Sequence, residues 1–599
     1  MFSPKSFRSD SAIPCYITGI WEAFQMWHME LHQGIFVLVF LASFCSCNDD
    51  GHQSVVIETP SGPVRGYHEA LNDDLYVHRF IKIPYAHPPL GDLRFKKPKP
   101  VGRWTEEQGI PDKYGPACMQ QEIGLNLEFN PECSEDCLYL NIYVPGDVSR
   151  DRRLSVMLFI HGGGFVIGSA GEHNGQRLAA QGDVIVVTIN YRLGLFGFLN
   201  LLDPIAKGNY GLWDQMAAIR WVHENIEAFG GNPDSVTIFG ESAGGMSVHY
   251  QTLIPANIEM FHRAISMSGV VNRQSIAKND DLQKVLNMIS DKTDCKQENK
   301  AELLKCLQKL PPADILGIIN VYELMTPGNF TLEMLMGPSI DGELINGQLY
   351  ETMHHRSLPG TSFFRSLDFM SGTTSAEGSL LYFSLLPDFQ ETFNFSVQDG
   401  IPRRALCEAI IPGLIQELYG NKPDLSQRLC EFYTSDKGND DQSNRATDFY
   451  GDLCMVTPTT SALIAHGRKN TAHRTYNYIL SAPSPAPFGP PPPAWFRGAG
   501  HADDLYLLFD MPNVRTENRT DERHTTLSSR IIRYFANFAK TGDPNSEELP
   551  VTWPPYDVET REYLDFDFEL SVKKDFHVDA TRIFQPQLRE LFQNEKQEL

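Results

Sequence analysis

The run Ser235-Val236-Thr237-Ile238-Phe239 is short, apolar and rich in strand formers, and it leads straight into Gly240-Glu241-Ser242-Ala243-Gly244. A G-x-S-x-G pattern carries little weight alone, because glycine and serine are common. Between a strand and a helical stretch beginning near Ala243, it specifies a strand-to-helix turn. Such a turn is too tight for a side chain at 240 or 244, which would collide with the neighbouring strand or helix. The turn lifts the Ser242 hydroxyl out of the sheet. The plain alternative is an ordinary glycine turn, and the remainder of the chain weighs against it.

Residues 55–250 alternate between strand-like and helix-like stretches. Ser155–Ile160 and Val184–Ile189 are bulky apolar runs suited to strands buried on both faces, as in a parallel sheet. Trp213–Phe229 has apolar residues at helical spacing and stops at Gly230-Gly231, after which Asn232-Pro233-Asp234 reads as a turn. Strand, turn and helix in repetition define an α/β class with crossover connections. A length of 599 residues would allow about four domains at roughly 150 residues each. One large domain over 55–595 is expected instead. The proline-rich stretch 482–493 is read as a stiff surface loop within it, since His501 follows closely.

The N-terminus reads as an address. Gly34–Phe44 is an apolar run of signal-peptide length, followed by small and polar residues through Asn48, and it is too short to span a bilayer. Residues 1–47 are therefore expected to be an extension plus signal peptide, with Met29 a possible true start. Of 11 cysteines, Cys15, Cys45 and Cys47 lie in that segment. The remaining eight are an even set, as an oxidising compartment favours, with about 105 possible pairings. Asn329, Asn394 and Asn518 each open a glycosylation sequon. The tail Lys596-Gln597-Glu598-Leu599 faintly resembles an endoplasmic-reticulum retention signal but lacks its Asp. The expected location is secreted or extracellular, with the reticulum lumen as alternative. The net charge of −24 repels phosphate backbones and anionic lipid, so nucleic acid is not an expected partner and no electrostatic hold on a membrane surface is expected. No other run approaches the ~20 apolar residues of a membrane span, so stable membrane insertion is not expected either.

A serine hydroxyl needs a base to take its proton and an acid to orient that base. After a nucleophile elbow the chain order is Ser, Asp or Glu, then His. Composition cannot choose among 18 histidines. His501 stands out because Gly498-Ala499-Gly500 precedes it and an apolar stretch follows. Glu377, in Ser375-Ala376-Glu377-Gly378, falls in the right order. His161-Gly162-Gly163-Gly164-Phe165 directly follows a strand and leaves backbone N–H groups uncovered, as an oxyanion loop would. A phosphate-cradling loop is disfavoured, because neither a following Lys-Ser/Thr nor G-x-G-x-x-G is present. No Cys/His spacing suggests zinc, so no metal and no cofactor are expected.

Glu135-Asp136-Cys137-Leu138-Tyr139-Leu140-Asn141, the loop 161–165, Asn190-Tyr191-Arg192 and Gly240–Gly245 occur together and in order. In these motifs, over about residues 55–590, the sequence resembles the type-B carboxylesterase family, which includes cholinesterases. The resemblance implies an α/β-hydrolase fold, a single large domain with a mostly parallel sheet and helical insertions. It implies Ser242 as nucleophile, Glu377 as acid and His501 as base, and Gly163, Gly164 and Ala243 as oxyanion donors. It also implies Cys118–Cys137 and Cys295–Cys306 disulfides, leaving Cys133, Cys407, Cys430 and Cys454 unassigned. The implied activity is hydrolysis of small-molecule carboxylic esters by a secreted serine carboxylesterase. Cholinesterases place a tryptophan before the cysteine of the 135–141 motif. Phe129 is the nearest aromatic here, which points away from choline esters. Juvenile hormone esterases typically carry Gln where this chain has Glu241. The 501–505 run looks like that of secreted arthropod carboxylesterases. Alternatives are a juvenile-hormone-type esterase, an ester or organophosphate scavenger, and a non-catalytic adhesion member of the fold. With His501 as the base, activity should rise with pH through about 6–7.

Overall fold

A central sheet of thirteen strands organises the computed structural model. The structure describes residues 46–47 and 53–584, apart from 73, 110–112, 122–131, 273–274, 297, 320–335, 348–352, 354–357, 382–386, 486–490 and 512–520. The described residues belong to one compact unit, Cys45–Leu599. The signal-peptide stretch, Phe129, Asn329, Asn518 and the C-terminal tail lie outside the described residues.

In chain order the strands are β1 (Ser46–Cys47), β2 (Gln53–Thr59), β3 (Gly62–Ala70), β4 (Tyr76–Pro84), β5 (Tyr139–Pro145), β6 (Leu154–Ile160), β7 (Ile185–Ile189), β8 (Gly231–Glu241), β9 (Arg263–Met267), β10 (Asp368–Thr374), β11 (Thr475–Leu480), β12 (Glu562–Phe566) and β13 (Ser571–Lys574). Their spatial order is β1-β2-β3-β4-β5-β7-β6-β8-β9-β10-β11-β12-β13. From β7 to β12 every neighbour is parallel; β1–β5 and β13 extend the two edges antiparallel.

The apolar runs behave as interior strands because both of their faces are covered. Val156, Leu158 and Ile160 of β6 enter one buried cluster. Met157 and Phe159 enter another. The first cluster receives α2 (Tyr210–Asn225) and α3 (Ala243–Thr252); the second receives α1 (Gln176–Gly182) and α8 (Glu522–Thr541). Three layers result, helix–sheet–helix, with crossover helices on both faces. A satellite cluster lies under α4 (Asn279–Lys292) and α5 (Lys300–Lys309).

The helix expected at 213–229 begins three residues earlier, at Tyr210, and tightens into a 3₁₀ turn over Ile226–Phe229. Gly230 then ends it in the left-handed conformation, φ 84°. Asn232-Pro233-Asp234 does not form a separate turn before the strand. It is drawn into β8, where the register against β6 shifts between Gly231 and Val236. Asn232 Oδ1 still accepts the Asp234 N–H at 3.1 Å, so the local turn preference survives as an irregularity within the strand.

Cys118 is joined to Cys137, and Cys295 to Cys306. A third disulfide, Cys407–Cys430, ties α6 (Pro423–Tyr433) back to the helical segment before it. The buried Arg192–Asp214 pair, bidentate at 2.7 Å and 2.7 Å, fastens the loop after β7 to α2. Arg94 and Glu135 form a second buried bidentate pair. No helix among the described residues is long and apolar enough to cross a membrane.

Candidate active site

All candidate residues sit beyond the carboxyl ends of parallel strands, where open α/β sheets place their ligand crevices. Ser242 follows β8, the 161–165 loop follows β6, Glu377 follows β10, and His501 lies beyond β11. The sheet thus brings together residues far apart in sequence.

The elbow is steep. Ser242 has φ 57° and ψ −125°, a conformation costly for a residue with a side chain and tolerated where surrounding structure enforces it. Here the enforcement is visible. Ser242 N–H donates to Met267 O of β9 at 2.9 Å, and its carbonyl accepts Met246 N–H of α3 at 2.9 Å. A Cβ on Gly240 would lie 2.6 Å from the Gly244 backbone and from Ile160 O; one on Gly244 would lie 2.0 Å from Ile160 O. Glycine at both positions is therefore a condition for the turn to pass beneath β6.

The glycine loop lies against this turn: a Cβ on Gly162 would be 3.0 Å from Ser242 Cβ. Gly163 and Gly164 have φ 99° and 62°, which aim successive peptide groups in directions other residues rarely allow. The loop's own turn bonds use Gly163 O, which accepts Val166 N–H and Ile167 N–H. They do not use the N–H groups of Gly163 and Gly164. Together with Ala243 N–H at the start of α3, these are the candidate oxyanion donors. The loop is braced from behind: Tyr191 Oη donates to His161 O at 3.0 Å, and the His161 and Tyr191 rings stack at 4.5 Å. Tyr191 was legible as part of a motif; this support was not.

Glu377 and His501 meet directly. His501 Nδ1 lies 2.6 Å from Glu377 Oε2. The other carboxyl oxygen, Oε1, accepts Ser268 Oγ–H at 2.5 Å and Thr374 N–H at 2.7 Å. Thr374 reaches Glu377 through a local turn three residues long, whereas Ser268, 109 residues away, approaches it only through the β9–β10 pairing and carries no signal in sequence. His501 Nε2 is turned to Glu241 Oε1, 3.2 Å away. The hydrogen bonds of the described residues include none from Ser242 Oγ to that nitrogen; such bonds often close only around substrate.

Three buried carboxyls therefore surround one imidazole. Burial pushes the Glu241 carboxyl up to about 8 against the pull of His501. Asp504 is pushed up to about 6, also by burial, and accepts the Tyr478 hydroxyl at 3.0 Å. Burial by itself would depress His501, but the Glu241 and Glu377 carboxyls outweigh it and lift the group to about 9. This revises the expected pH profile. A base must be neutral to accept the serine proton, so activity rises as pH climbs through the His501 value. That value is raised, so kcat/KM should climb across pH 7–9 rather than level off by pH 7. Glu241→Gln should draw the midpoint downward. Initial rates from pH 5 to 9.5 check both; a plateau already reached at pH 7 in the parent protein would show that the neighbouring carboxyls do not raise His501.

Of the sequons, Asn394 lies at an exposed turn with φ 49°. No group of three or more potential metal-ligating side chains is found among the described residues.

A strand-elbow-helix turn on a mostly parallel sheet, facing a glycine loop from the adjacent strand, is the arrangement of an α/β-hydrolase. The Carboxylesterase family profile matches residues 53–583. The chain is 33% identical over 536 residues to Carboxylesterase 1C of Mus musculus, covering 86% of this chain and 90% of that protein. It is 32% identical over 554 residues to Carboxylesterase 1D of Mus musculus, with 88% and 92% covered. Over 549 residues it is 34% identical to Pyrethroid hydrolase Ces2e of Rattus norvegicus, with 88% and 89% covered. The protein belongs to the carboxylesterase family.

Proposed function

We propose that the protein is a secreted serine carboxylesterase acting through an acyl-enzyme, with residues 55–595 as its catalytic domain and the signal peptide removed. The observation that carries this reading is the 2.6 Å contact between His501 Nδ1 and Glu377 Oε2, beside the strained Ser242 elbow and the glycine loop. His501 Nε2 takes the Ser242 proton as Oγ bonds to the ester carbonyl carbon. The oxygen gathers negative charge against the N–H groups of Gly163, Gly164 and Ala243. Glu377 stabilises the imidazolium, which then protonates the departing alcohol. Water, deprotonated by the same imidazole, cleaves the acyl-enzyme. Names printed for relatives, carboxylesterase and pyrethroid hydrolase, support carboxylic esters as the substrate class. The relatives named are mammalian, and the arthropod likeness rests on 501–505 alone. Three disulfides and the sequon at Asn394 support passage through an oxidising compartment.

A fluorophosphonate probe should label one residue, Ser242, and block hydrolysis of a panel of simple esters varying in acyl length and alcohol size. A folded protein that neither takes the label nor turns over any of these esters would defeat the proposal.

A further inference from the structure

The loop carrying the candidate acid and the loop carrying the candidate base are laced together by more than their side chains. Ser375 Oγ accepts the Ala499 N–H at 3.1 Å. Ala376 N–H donates to Ala499 O at 2.9 Å, and Ala376 pairs with Gly500 as a parallel bridge. Ser379 Oγ accepts the N–H of His501 itself at 2.8 Å. The turn Glu377-Gly378-Ser379 thus holds His501 at two points: Glu377 at the ring and Ser379 at the backbone.

The turn is itself pinned from the opposite side. A Cβ on Gly378 would lie 1.7 Å from Thr447 O of α7 (Asn439–Gly451), and one on Gly451 would lie 3.1 Å from Glu377 Cβ. Backbone is in contact with backbone there, so the turn has no room to follow a displaced histidine. Directly after α7 the helix widens into a π segment, Asp452–Val456. There Asp452 accepts the Tyr433 hydroxyl at 2.7 Å and lies 2.6 Å from His577 Nδ1.

We propose that Ser379 is a positioning residue for His501, its hydroxyl fixing the backbone from which the imidazole reaches towards Ser242. This rests on the serine-esterase reading. The physical argument is one of leverage. Glu377 holds the ring at Nδ1, whereas the Glu241 contact at Nε2 has to be given up when that nitrogen takes the serine proton, and a ring then held at one nitrogen can pivot about that contact. A second anchor on the peptide N–H removes the pivot and sets where Nε2 points. Without the hydroxyl, the His501 N–H is left with no acceptor and the loop is free to shift. Small misplacements of a catalytic group cost up to about 100-fold in rate.

The test compares Ser379→Ala and Ser379→Thr in the full chain, with thermal unfolding run alongside. For Ser379→Ala, kcat should fall by about 10- to 100-fold with KM nearly unchanged, and the acid limb of the kcat profile should move to lower pH as the Glu377 contact loosens. Ser379→Thr, which keeps the hydroxyl, should restore most of the loss. The inference is overturned if Ser379→Ala keeps its kcat, if its acid limb stays in place, if KM rises as kcat falls, or if the Thr variant is as impaired as the Ala variant. The first and last criteria hold even if Ser379→Ala is less stable. Failure of the underlying reading looks different: the parent protein itself would take no fluorophosphonate label at Ser242.

Discussion

Ser242→Ala is expected to lower kcat for a simple carboxylic ester by about 10⁶, with secondary structure and thermal unfolding close to those of the parent. The size of the loss follows from what remains. The glycine loop, Ala243 N–H and the substrate pocket still bind the ester and stabilise an oxyanion, but no oxygen is placed to attack. His501 would have to recruit water into a geometry built around Oγ. The fold should tolerate the change because the elbow is held by backbone contacts, Ser242 N–H to Met267 O and Met246 N–H to Ser242 O, which alanine keeps. Stopped-assay hydrolysis at high enzyme concentration, with the variant purified away from any parent protein, measures the residue. Turnover above about one per cent of the parent would place the nucleophile elsewhere, because loss of an attacking serine costs far more than that.

Glu377→Gln carries the second-largest expected effect, about 10⁴ in kcat, although it changes one atom. The reason lies in the contacts of the acid. Oε1 already receives two donors, Ser268 Oγ–H and Thr374 N–H. A glutamine would turn its carbonyl oxygen to those two and present its NH₂ to His501 Nδ1. An NH₂ group can only donate, so Nδ1 would have to carry a lone pair and the proton would move to Nε2. That tautomer cannot accept the proton of Ser242. Charge stabilisation of the imidazolium is lost at the same time. KM should change little, because Glu377 is buried behind the histidine and away from substrate. Full activity in Glu377→Gln would show that a different carboxyl, with Glu241 the nearest at 3.2 Å from Nε2, orients the base.

How much of this was legible before the structure depended on whether the signal was local. The interior strands at 155–160 and 185–189 are apolar at every position but Ser155 and Thr188, because helices cover both faces, and such runs stand out in a sequence. Of the edge strands, β3 begins with an alternation of buried and part-exposed residues, while β2 and β4 are irregular, and their character emerges only from pairing. The elbow and the glycine loop are local motifs, each confined to five residues. Glu377 and His501 could be ordered along the chain, and the family resemblance supplied their roles. Ser268, Ser379 and the turn of Nε2 towards Glu241 are products of strand and loop pairing, and nothing at those positions in sequence hints at them. The Cys407–Cys430 link was hidden for a similar reason, since eight cysteines permit too many pairings to choose among.

The separation of the two central groups has one more consequence. His501 lies 124 residues beyond Glu377, and both follow Ser242, so the site cannot exist on a growing chain until nearly all of the sheet has been synthesised and ordered. Until then Ser242 is an ordinary alcohol on an unfinished turn. On the proposed function, the activity is withheld by the timing of the protein's own synthesis, and the first ester to be cleaved would meet a molecule in which most of the sheet has already formed.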